Sequence, residues 1–198
     1  PPRSTLFPYT TLFRSVPLRW HTSERFDLID HLCDRGYQRM QNPHGDPDRS
    51  VAHRRQVVFL RESGCWIVED RMLRRDETAR TYTQTWNFPP KVESQQDYAR
   101  RHIDGFAPDQ FDLQPEQRRF ATADPDGPNL EFVHLLPGSI RYRLYHGDRE
   151  ELKGWFAPGL GSVCAAPDVH AEWDSADSDR LVTRSEEHTS ELQSPNTI

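Results

Sequence analysis

The eight residues Thr81 to Phe88 constrain this chain more than any other stretch. Tyr82, Gln84, Trp86 and Phe88 fall on one side, and Thr81, Thr83, Thr85 and Asn87 on the other. A period of two is the mark of a strand with one face packed and one face wet, and a helix cannot produce it. Pro89-Pro90 ends the run, because neither residue can donate to a sheet ladder. Such a strand needs partners along its edges and a second layer over its apolar face. Two candidates lie just upstream. Gln56 to Leu60 is β-branched and aromatic, Ser63-Gly64 supplies a turn, and Cys65 to Val68 forms a second run closed by Glu69, Asp70 and Arg71.

The rest of the chain repeats this grammar. In Leu18 to Tyr37, Phe26, Leu28, Ile29 and Leu32 would share a helical stripe, while Arg25 to Leu28 also suits a strand. Gln41 to Arg49 reads as an exposed loop. Val92 to His102 is a short helix or a crossing loop. Phe111 to Leu113 and Arg118 to Thr122 read as strands separated by a Pro115-Glu116 turn, and Asp124 to Pro128 is a turn by composition. Asn129 to Leu136 and Ser139 to Tyr145 are strands hinged at Pro137-Gly138, an expected antiparallel hairpin. His146-Gly147-Asp148 ends it, and Gly154 to Trp173 reads as a strand and a wrapping loop. Many short strands with turn signals between them predict an all-β fold, an antiparallel β-sandwich.

Charge and composition narrow the functional classes. The 198 residues carry a formal charge of −6, which gives no reason to expect nucleic acid or an anionic membrane surface as a partner. No apolar run approaches membrane-spanning length. Cys33, Cys65 and Cys164 form no Cys-x-x-Cys pair, so a redox or zinc motif is unsupported; free thiols are expected, with one disulfide left open. The chain lacks Gly-x-Ser-x-Gly, a P-loop and a dinucleotide fingerprint. Asp104-Gly105, His146-Gly147-Asp148 and Asp168 lack calcium-loop spacing.

The two ends read differently. Leu12 to Ser15 can be encoded by a sequence whose reverse complement encodes Arg184 to Glu187, and Phe7 to Ser15 and Arg184 to Ser194 resemble translated sequencing-library adapters. Residues 1–15 and 184–198 are therefore expected to be adapter-derived and disordered, with a single domain over 16–183 truncated at both ends.

Within that domain the order of elements resembles the C-terminal part of heparinase II/III-like proteins, a family of polysaccharide lyases and their relatives. The resemblance is carried by His53-Arg54-Arg55, the strand and turn after them, Trp66-Ile67-Val68 with Asp70, and the run ending in Trp86-Asn87-Phe88. Asp30 to Tyr37 on one side, and Lys153 to Pro158 and Ala166 to Val169 on the other, agree with it. It favours strand for the ambiguous Leu18 to Tyr37 segment, with Cys33 to Gly36 as a turn. It implies a supersandwich-like β-domain, incomplete here because upstream strands and an N-terminal helical domain of the same parent are missing. It also implies an exported parent, periplasmic or secreted, acting on acidic polysaccharide by β-elimination. Zinc in the family is held by a His-x-His element with a downstream Asp and His, upstream of the equivalent of Val51. No His-x-His occurs in this chain, so no catalytic residue, metal ligand or cofactor is assigned to it.

Five side chains are candidates for touching substrate. His53, Arg54 and Arg55 suit an anionic sugar, since guanidinium forks fit carboxylates; the structural alternative is a strand-entry cluster paired with Asp or Glu. Tyr82 and Trp86 share a face and could stack on sugar rings; the structural alternative is the core face of a sandwich. His134 reads as a satisfied interior histidine, and Asp70 as a turn cap or an arginine partner.

Overall fold

The computed structural model describes residues 16–34, 48–90, 105–125, 127–159 and 162–188. Thirteen strands are found among them. In chain order they are β1 (Val16–Thr22), β2 (Phe26–Cys33), β3 (Val51–Leu60), β4 (Cys65–Arg74), β5 (Thr81–Asn87), β6 (Phe111–Gln114), β7 (Arg119–Thr122), β8 (Asn129–Leu136), β9 (Arg141–His146), β10 (Trp155–Gly159), β11 (Ser162–Ala165), β12 (Pro167–Asp174) and β13 (Arg180–His188). Eight form one antiparallel sheet in the order β1-β2-β3-β4-β13-β8-β7-β6. A three-stranded sheet, β5-β12-β9, packs on it, and β10-β11 is a separate hairpin. The protein is an all-β antiparallel sandwich.

The alternation of Thr81 to Phe88 does what its period requires. Tyr82, Gln84 and Phe88 are buried, Trp86 is half-buried, and the threonines and Asn87 are exposed. β12 answers it with Val169, Ala171 and Trp173, each fully buried. Two apolar clusters result. One gathers Val51, Met72, Tyr82, Ile140, Trp173 and Leu181 beneath β5. The other gathers Phe88, Phe120, Phe132 and Val169, with Tyr142 packed against both. Phe120 and Phe132 stack with ring centroids 4.4 Å apart, and Phe88 meets both edge-on.

Several expectations need correction. The charged group Glu69, Asp70 and Arg71 does not close β4, which runs to Arg74; Asp70 faces inward onto partners that satisfy it, so the charge need not leave the sheet. Asn129–Leu136 and the strand after it are not a hairpin. β8 pairs with β7 and β13, whereas β9 pairs with β12 in the other sheet, so Pro137-Gly138 carries the chain between layers. Gly154 to Trp173 holds three strands rather than one and a loop. Gly154 sits at φ +72°, where a Cβ would meet the backbone of His146 at 2.6 Å, so only glycine fits this turn. Leu18 to Cys33 is strand, as the resemblance favours, but it forms a hairpin turning at Ser23, whose hydroxyl accepts from the Phe26 amide at 3.1 Å. Disorder from Arg184 onward does not hold for Arg184–His188, which continue β13 and pair with β8. The Gln41 to Arg49 loop for the most part, and Val92 to His102 throughout, lie outside the described residues, as do 1–15 and 189–198.

Candidate functional site

Between the two sheets runs a chain of polar side chains that begins at the surface and ends in the core. Its geometry follows from register. β3 and β4 pair with Arg55 directly opposite Asp70, and His53 lies two residues along the same inward face of β3. β5 lies across them in the other layer and lowers Gln84 onto Asp70. β13 and β8 bring Thr183 and His134 from the far side, cross-strand partners of each other. β9 supplies Tyr142.

Asp70 is 1% exposed and accepts four hydrogen bonds. His53 Nε2 and Arg55 Nε each reach Oδ1 at 2.6 Å, and Arg55 Nη2 and Gln84 Nε2 reach Oδ2 at 2.9 and 2.7 Å. Burial alone would raise its pKa. The bonds from His53 and Arg55 outweigh that and hold the carboxyl at about 2, so it is ionised. Gln84 relays the contact inward. Its Oε1 accepts from Trp86 Nε1 at 2.8 Å, from the Thr183 hydroxyl at 3.0 Å and, at the limit of reach, from His134 Nε2 at 3.4 Å. His134 Nδ1 lies 2.6 Å from the Tyr142 hydroxyl. Burial lowers the His134 pKa to about 4, so the ring is neutral. With its proton on Nε2, Nδ1 accepts from Tyr142, whose own pKa burial raises.

The arrangement binds the two layers and keeps its protons internal. His134 and Tyr142 satisfy each other in the interior. At the outer end the Arg55 side chain is 47% exposed and that of His53 20% exposed.

The predicted residues therefore separate. His53, Arg55 and Trp86 are joined through Asp70 and Gln84. Arg54 points to the opposite face of the sheet, where it holds Asp30 through bonds of 2.9 and 2.5 Å. Tyr82 is buried against Trp173, ring centroids 5.5 Å apart. Sequence reasoning missed Gln84 as the hub. The available signal was a glutamine on the apolar side of a strict alternation, a position that demands partners. A second buried polar pair lies on the other face of β12, where His170 Nε2 is 3.0 Å from Asp168 Oδ2. Among the described residues no group of three His, Cys, Asp or Glu side chains is placed to hold a metal ion.

No protein-family model matches the chain, and no curated protein matches it in sequence. Its fold does have solved counterparts. Heparan sulfate lyase HepC from Pedobacter heparinus superposes with a TM-score of 0.60 at 13% identity, over 88% of this chain and 22% of that one. The architecture is shared with part of heparinase III. A heparinase III gene product gives 0.59 at 13% identity over 92% of this chain and 23% of that one. A further heparinase III structure gives 0.56 at 9% over 87% and 21%. The chain thus spans less than a quarter of the length of each of these three chains.

Proposed function

We propose that this chain is the supporting β-sandwich of a polysaccharide lyase, and that the catalytic groups belong to other parts of the parent. The parent's reaction is β-elimination on a uronic-acid-containing polysaccharide. The uronate carboxylate is neutralised to acidify the neighbouring proton, a base removes that proton, and an acid protonates the departing glycosidic oxygen. Zinc, held upstream, and an N-terminal helical domain complete the cleft, and the parent works outside the cytoplasm. The observation that carries this reading is the fold shared with heparinase III over about nine-tenths of the chain. The polar site is consistent with this division of labour, since two of its side chains of the type that serve as a base, His134 and Tyr142, are tied to each other inside the core, and a third, His53, is bound to Asp70.

A noncatalytic carbohydrate-binding sandwich is the alternative, and it needs Tyr82, Trp86 or Trp155 in an open groove. Tyr82 is buried and the other two are half-buried, which favours the supporting role.

The test compares two proteins on heparan sulfate and alginate, following the ultraviolet absorbance of the unsaturated product. The 198-residue chain is expected to release none, and the whole parent to release it. Product from the chain alone, or a parent inert on every uronate polymer tried, would overturn the reading.

A further inference from the structure

The outer face of the large sheet carries a row of arginines. The register sets Arg54 of β3 opposite Arg71 of β4, and Arg71 opposite Arg180 of β13. Three guanidinium stems thus stand side by side across three adjacent strands. With strands about 4.8 Å apart, the row is about 10 Å long. Like charges directly opposite one another on a sheet face are destabilising, and carboxylates relieve only the outer two members. Arg54 holds Asp30, and Arg180 Nε donates to Glu69 at 2.7 Å. Arg71, in the middle, is exposed and has no carboxylate within ion-pair distance among the described residues.

A depression adjoins the row where β4 ends and β13 begins, lined by Arg71, Leu73, Arg75, Ser178 and Arg180 among others. Arg75 is exposed and likewise without a carboxylate partner among the described residues. Of the three acids on the rim, Asp76 is taken by Arg80 and Asp179 by Arg74, which leaves Glu77 as the one carboxylate there without an ion pair among the described residues. Arg71 and Arg75 against Glu77 leave the hollow net positive, with Arg180 beside them.

We propose that this hollow and row bind carboxylate groups of a uronate polysaccharide, with Arg71 and Arg75 as the principal contacts. A guanidinium presents paired donors that match a carboxylate in two parallel bonds. Arg71 on β4 and Arg75 just past its end are four residues apart, about 13 Å along an extended chain, so they meet different sugars of one polymer. The choice of a uronate polymer rests on the lyase reading above; the choice of an anionic ligand rests on the arginines. The surface is distinct from the internal polar chain, which lies on the opposite face of the same strands.

The experiment titrates the full chain with alginate oligosaccharides by calorimetry at low and physiological ionic strength, with dextran and duplex DNA as controls. Saturable binding that weakens with salt is expected. Arg71→Ala and Arg75→Ala each weaken it roughly tenfold, the loss of one charge-assisted contact, and Arg71→Lys weakens it less. Arg71→Ala should not lower the melting temperature of the free protein, because it removes one of three like charges; a merely structural arginine would lower it. Absence of saturable binding, indifference to Arg71→Ala, or equal binding of DNA or dextran would overturn the site. A parent without lyase activity whose sandwich still binds alginate would defeat the proposed function and leave this site standing. Lyase activity without binding here would defeat the site alone.

Discussion

Asp70 and His134 sit in one polar chain and respond to acid in different pH ranges. His134 has a folded pKa of about 4 against an ordinary 6.5. Its neutral form is kept in the core while the unfolded chain protonates, so its contribution is whole above 6.5 and is lost as pH falls to about 4, on the order of 3 kcal/mol. Asp70 has a folded pKa of about 2 against 3.8. Its contribution is present above 3.8 and disappears as pH falls through about 2, on the order of 2 kcal/mol. Denaturant midpoints measured across pH should therefore fall in two legs. His134→Gln should flatten the upper leg and leave the lower one; an unchanged slope between 6.5 and 4 would contradict the assignment. What the sequence disclosed at this scale was residue type. His53-Arg54-Arg55 was legible as a cluster needing carboxylates, and Tyr82 and Trp86 as a packed face. Which carboxylate was not legible, because alternation sends Arg54 to one face and its two neighbours to the other, and their partners lie 24 and 15 to 17 positions away in the chain.

At the level of the strand, period two announces that a strand exists and which side packs, and is silent about its neighbours. β5, β6, β7 and β8 were legible nearly to the residue. The hairpin expected of β8 and β9 failed because a turn signal at Pro137-Gly138 serves a change of layer as well as a reversal within one. β4 was read short because a charge run looks like an ending, although on a sheet charges can alternate between a solvated face and a satisfied interior. β13 offers a direct test. Its last residues, Arg184–His188, pair with β8, and Ser185 is buried opposite Phe132. A chain ending at Thr183 should lose a few kcal/mol of stability, in proportion to the ladder bonds removed. Equal urea midpoints for the two lengths would mean that these residues contribute nothing to the sheet.

For the molecule as a whole, a sheet of eight strands faces one of three, and the smaller layer cannot cover the larger. Among the described residues β5 lies over β4 and β9 over β8, so the inward side of β1 and β2 extends past the cover. Trp20 of β1 is 70% exposed there, and Trp66 at the start of β4 is 46% exposed, whereas Trp173 under β5 is fully buried. Iodide should quench part of the tryptophan emission readily and part hardly at all. Trp20→Phe should remove much of the accessible part; a uniform response before and after would show that the overhang is covered in solution.

The place of β13 has a bearing on how the chain is made. Among the described residues the sub-sheets β1-β4 and β6-β8 are hydrogen-bonded to each other only through this strand, which is the last of the thirteen described strands in chain order. During synthesis β4 and β8 are both open edges until it leaves the ribosome, and open edges recruit strands from other chains. The contacts that close the sheet are also far apart in sequence, with Arg180 paired to Arg71, a topology that folds slowly. The nascent chain is therefore most exposed to misassembly just before β13 is added.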